Sequence, residues 1–196
     1  MFSTELANKI ETVEASGRIP AGIIEDVVIS EVRVETSKNG NVYIAFTFDK
    51  DGATASQTEW EPRKWPDMDE SRFQDACTKQ VKHTLQILEC YYPKEVLNFK
   101  GETFKEFANW VKALMDKADL SKKLRVKFVY KDNGYIELPK YCMYTFIEPM
   151  TIPKEESKIA ELSIDQFTKP IVADKEVPVI NPLDTTTETK IDDLPF

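Results

Sequence analysis

The most constraining feature of this chain is a dense run of Ile and Val cut by two tight-turn signals. Ile23, Ile24, Val27, Val28, Ile29, Val32 and Val34 fall between Gly22 and Glu35. Branched side chains at this density predict one long strand, because they pack well on a pleated surface. The alternation changes phase between Val27 and Val28, so the strand is expected to bulge or bend there. Ser37 to Asn41 follows with Asn39-Gly40 at its centre, the dipeptide that accepts the positive φ of a hairpin turn. Val42, Ile44, Phe46 and Phe48 then alternate with Tyr43, Ala45 and Thr47, so Tyr43 is expected on the outer face. Asp49 to Gly52 is a second tight turn, and Ala53 to Glu61 a third strand stopped by Pro62.

A helical block comes next. Ser71 is the expected N-cap of a helix whose apolar face carries Phe73, Cys77, Val81, Leu85 and Leu88. Thr103 caps a second helix, with Glu106 in capping-box position and Phe104, Phe107, Trp110, Val111, Leu114 and Met115 as its buried stripe. Leu124 to Lys131 reads as a strand, Asp132 to Gly134 as a turn, Tyr135 to Leu138 as the return strand and Tyr141 to Ile147 as the last. A short helix is also expected at Thr4 to Ala15, from Leu6, Ile10 and Val13. The fold class is therefore mainly β with inserted helices (α+β). Three strands, a helical insertion between strands 3 and 4, then a closing hairpin is the order of a five-stranded OB-fold barrel. An open sheet with helices on one face is the alternative.

The chain is divided into a domain at 1–150 and a flexible acidic tail at 151–196. Five prolines interrupt the tail, and five of its residues are Lys against ten Asp or Glu, so it carries −5 of the total charge of −8. Ile159, Leu162, Ile164 and Phe167 are spaced for a short amphipathic helix inside it. Any nucleic-acid site on so acidic a protein must be a local basic stripe with aromatic help. Cys77, Cys90, Cys142 and the lone His83 give no metal-ligand spacing, so no metal or cofactor is expected. No nucleophile–base set or Gly-rich phosphate loop is present, and an enzyme is not expected. No membrane-spanning run and no leader-like start appear, so the expectation is a cytoplasmic protein with no membrane partner.

Binding of single strands needs aromatic faces for bases and cations for phosphates. Tyr43 is one candidate. Trp60, Arg63, Lys64 and Trp65 form another group, two indoles flanking two cations at the end of the third strand. On the fourth strand Arg125, Lys127 and Lys131 lie in the phase opposite Leu124, Val126 and Phe128, which suits a phosphate track, and Tyr135 can add stacking. His83 is read as mid-helix and without a chemical partner.

The last five residues, Asp192, Asp193, Leu194, Pro195 and Phe196, combine two carboxylates with an apolar end. A partner would need a basic rim and a slot for the Phe ring. This ending resembles the C-terminal tip of bacterial single-stranded DNA-binding proteins, typically Asp-Asp-Asp-Ile-Pro-Phe. The stretch Gly22 to Pro62 is similar to phage-encoded OB-fold proteins of that function. The resemblance implies a sequence-independent single-stranded DNA-binding protein of phage replication, recombination or repair, working in the host cytoplasm. It also implies that the tip recruits replication, recombination and repair proteins. It leaves the oligomeric state open, because the second helix and the Pro/Thr-rich tail depart from the bacterial pattern. The rival readings are an OB-fold interaction adaptor that touches no nucleic acid and an RNA-binding OB protein.

Overall fold

The computed structural model describes residues 17–170. The expected helix at Thr4 to Ala15 and the tip at Asp192 to Phe196 lie outside the described residues. An antiparallel sheet is built from β1 (Gly22–Thr36), β2 (Val42–Lys50), β3 (Ala53–Trp60), β4 (Leu124–Tyr130), β5 (Ile136–Glu137) and β6 (Ile147–Pro149). Two α-helices, α1 (Glu70–Leu88) and α2 (Phe104–Met115), stand between β3 and β4. The path of the sheet is β3-β2-β1-β4-β5, with β6 on β4. The mainly antiparallel α+β reading therefore holds.

β1 serves two neighbours. Its first half pairs with β4 and its second half with β2, with ladder irregularities between Ile24 and Val27 and between Ile29 and Glu31. The bend centres on Asp26, at φ 61°, one residue before the phase change seen in the sequence. Aspartate is among the few non-glycine residues that tolerate this region. Lys50 Nζ donates to the Glu25 carbonyl at 2.7 Å, which satisfies an acceptor beside the bulge. The β2–β3 turn is tight for the reason the sequence suggests: Asp51 and Gly52 both have positive φ, 52° and 85°.

Inward phases of the strands meet the helices in one core. Ile44, Phe46, Phe48, Leu124, Val126 and Phe128 are fully buried, as are Ile87, Leu88 and Val111 from the helices. Each such side chain contributes about 1.5–3 kcal/mol of transfer free energy. Phe107 is in this core; Phe104 and Trp110 pack at its margin, and Phe73 is half-buried. The Thr103–Glu106 capping box forms as expected. The cap of α1 is Asp69 rather than Ser71, its carboxylate accepting from the Arg72 N–H at 2.7 Å.

Two expectations about the C-terminal part are corrected. Tyr141 to Phe146 is not strand, and only Ile147–Pro149 joins the sheet. The loop's backbone is instead held by α1. Gln86 Nε2 donates to the Cys142 and Tyr144 carbonyls at 3.1 and 3.2 Å, and Gln86 Oε1 accepts from the Phe146 N–H at 3.4 Å. Nor is the tail free from residue 151. The chain from Ile152 to Gln166 is held against the sheet, with Ile159 buried and the Gln166 carbonyl accepting from the Tyr130 N–H at 2.8 Å. No helix forms at Ile159 to Phe167; the apolar spacing there anchors an irregular segment. The packed part of the chain thus continues past residue 150, to Gln166 at least.

Candidate nucleic-acid interface

The two ends of the sheet path, β3 and β5, share no ladder. Gln57 bridges them, its Oε1 accepting from the Leu138 N–H at 3.0 Å. A cleft of about 410 Å³ lies over this gap, between β3, α1 and the β4–β5 hairpin. Trp60 stands on one wall, and Lys79, Lys131 and Lys140 on the others. Its acids are Glu59 and Glu137, and both are engaged. Glu137 holds Lys131 at 2.9 Å and Lys140 at 3.3 Å.

Glu59 sits at the cleft floor in an inward phase of β3, only 4% exposed. A buried carboxylate is costly unless its oxygens are occupied. Gln57 Nε2 donates to it at 2.8 Å, Gln80 Nε2 donates to its other oxygen, and His83 Nδ1 lies 2.9 Å away. His83 Nε2 lies 2.8 Å from the Pro139 carbonyl, and the ring stacks on Phe146 at 4.4 Å. A carbonyl cannot donate, so Nε2 carries a proton; the carboxylate favours a second proton on Nδ1. Burial alone would push this imidazole down, but the adjacent Glu59 carboxylate, the Pro139 carbonyl and the charge of Glu137 outweigh it, and the pKa is raised. The pair ties β3, α1 and the 139–146 loop together beneath the cleft.

A pH dependence follows. The raised folded pKa means that His83 contributes stability fully present below its unfolded value of about 6.5, and lost as pH rises through the higher folded value. Urea unfolding of wild type and His83→Gln from about pH 5.5 to 8.5 is expected to show a difference that narrows as pH rises. A difference that stays constant, or widens with pH, contradicts an imidazolium at this position.

Tyr43 and Trp60 lie opposite each other on β2 and β3. Their rings stack at 4.4 Å with 30° between planes. Tyr43 is half-buried, and its hydroxyl donates to Glu35, which raises its pKa. Trp60 remains 43% exposed, so the pair offers one free indole face on a braced platform. Beyond it Trp65 is 62% exposed, Arg63 is exposed, and Lys64 pairs with Glu70 at 2.6 Å. Tyr135 is exposed at the β4–β5 turn, with Arg18 over its ring at 5.4 Å.

The basic stripe expected on β4 is corrected. Arg125 and Lys127 are 4% and 0% exposed. Lys127 Nζ donates to Asp165 at 2.8 Å, to the Tyr141 hydroxyl at 2.6 Å and to the Ala160 carbonyl. An ammonium has no further donor, so none is left for a phosphate. Arg125 is held by Glu25 at 3.1 Å and by buried Glu148. The physical reason is coverage: residues 152–165 lie over the sheet face that alternation alone assigns to solvent. Of the stripe only Lys131 reaches the cleft.

The structure therefore brings Trp60 and Lys131 to one cleft and braces Trp60 with Tyr43. Lys79, Lys140 and the Glu59–His83 floor were missed in the sequence. The available signal was Glu59 itself, a charge in the inward phase of a strand, which demands a partner. Among the described residues no helix is long and apolar enough to cross a membrane. Comparison of the chain with known protein families, curated proteins and solved structures finds no match.

Proposed function

We infer that this protein binds single-stranded DNA with little sequence preference, on an OB-type barrel. The observation that carries the reading is the Tyr43–Trp60 stack, with Trp60 exposed above a lysine-rimmed cleft. A base has a π-face whatever its identity, so an exposed indole beside lysines favours flexible single strands over stacked duplex. The strand path supports the barrel: β1 pairs with both β2 and β4, helices enter between β3 and β4, and Gln57 spans β3 to β5. In OB-folds the face of the second and third strands binds oligonucleotides, and Trp60 ends that face. The tip at Asp192 to Phe196 recruits replication, recombination or repair enzymes.

Labelled oligo-dT is expected to bind at low salt, and equal lengths of duplex are expected to compete poorly. Stronger binding to duplex, or none to oligo-dT, rejects the reading; preference for oligo-rU redirects it to RNA. Phe196→Ala is expected to leave oligo-dT affinity unchanged and to remove partner enzymes from a pull-down. An unchanged pull-down rejects the role given to the tip.

A further inference from the structure

A second cleft, of about 420 Å³, lies between α1 and the 142–149 segment. Lys79 on α1 lines the first cleft and Lys82 the second, three residues apart and so neighbours on the helix surface. Lys140 lines the first and Cys142 the second. The two clefts thus lie one after the other along α1, with no lining residue in common, and between them His83 and Gln86 tie the loop to the helix. The second is lined by Lys82, Lys94, Lys158 and Tyr144. Lys94 pairs with Glu89 at 3.5 Å. Glu148 is already held by Arg125 and by the Lys158 N–H. Lys82 and Lys158 are exposed and have no ion-pair partner among the described residues.

Tyr144 is 52% exposed, and its ring edge packs against Tyr141 at 5.6 Å. Gln86 fixes the backbone on either side of it. A tyrosine on a pinned loop loses little freedom when it stacks on a ligand. Two free cations beside one braced aromatic offer the kinds of contact that Lys79 and Trp60 offer in the first cleft.

The geometry points to a second nucleotide subsite here: Tyr144 stacks a base, Lys82 and Lys158 hold flanking phosphates, and one single strand runs along α1 from Trp60. The subsite rests on the proposed single-strand binding and extends it away from the β2–β3 face across α1. Its ligand is the continuation of the same strand, since each cleft sets lysines beside an exposed aromatic ring and both border α1.

The test compares oligo-dT of ~4 and ~16 nucleotides, the span of sites used by single OB domains. Tyr144→Ala and the double variant Lys82→Gln/Lys158→Gln are each expected to leave the short oligonucleotide's affinity unchanged. Each is expected to weaken the long one about tenfold, as for the loss of a stacked base or of phosphate contacts. The lysine variant is also expected to flatten the salt dependence of the long oligonucleotide by about 0.7 per lost phosphate contact. Wild-type affinity for the long oligonucleotide in both variants overturns the subsite while leaving the first cleft intact. Failure of the wild-type protein to bind either oligonucleotide overturns the proposed function, and the subsite with it. All three positions are exposed, and thermal melting of each variant checks that its fold is kept.

Discussion

Lys127→Met is expected to lower folding stability by about 3–5 kcal/mol, the cost of leaving the other half of a buried ion pair uncompensated. Asp165 is the group left behind, its side chain 1% exposed. Burial raises its pKa, but Lys127, the Leu162 N–H and the Tyr141 hydroxyl outweigh that and hold it below the usual carboxylate range. Without Lys127 the carboxylate must take up a proton or draw in water, and the 157–165 segment loses its main tie to β4. The double variant Lys127→Met/Asp165→Leu is expected to recover part of the loss, because no charge remains buried. Urea unfolding of the three proteins checks both statements. Affinity for oligo-dT, corrected for the folded fraction, is expected to stay at the wild-type value. A stability loss under ~1 kcal/mol together with weakened DNA binding would return Lys127 to the phosphate track that the sequence suggested.

Trp60→Ala and Trp65→Ala are each expected to weaken oligo-dT binding by about 1–3 kcal/mol, or about 5- to 150-fold. Trp60 has the firmer claim, because Tyr43 holds one indole face and leaves the other to solvent. Its removal is expected to cost the fold only about 0.5–1.5 kcal/mol, the value of an aromatic pair. Trp65 stands free of the sheet, so its removal is expected to leave stability unchanged. The double variant is expected to lose about 2–6 kcal/mol of affinity if the two indoles act independently. Oligo-dT anisotropy against each variant measures this directly. Wild-type affinity in the double variant would move the binding surface elsewhere.

The strands and helices were legible because their signals are local. Branched runs, two glycine turns and a capping box each act within a few residues. Alternation on β2 put Tyr43 opposite the core correctly. The same logic failed on β4, since period-2 patterning distinguishes two faces but does not say what covers the second. Arg125 and Lys127 are charged and buried because a segment read as tether lies over them. The 141–146 stretch looked like strand because Tyr141, Tyr144 and Phe146 favour it. Its backbone is satisfied by Gln86 instead, a contact 56 to 60 residues distant in sequence. The cleft could not be read from the chain for a similar reason, since Trp60, Lys79, Lys131 and Lys140 converge only after β3 meets α1 and the β4–β5 hairpin.

The measurement that tests the account most directly is tryptophan emission during titration with oligo-dT. Trp110 packs between Phe99 and Phe107 within the helical layer, away from the cleft, whereas Trp60 and Trp65 are exposed. Stacking on bases is therefore expected to quench wild-type emission in a saturable way, and Trp60→Phe/Trp65→Phe, in which Trp110 alone reports, is expected to show no quench. Saturable binding by anisotropy with unchanged wild-type emission, or an equal quench in the variant, would contradict the claim that these indoles hold the strand.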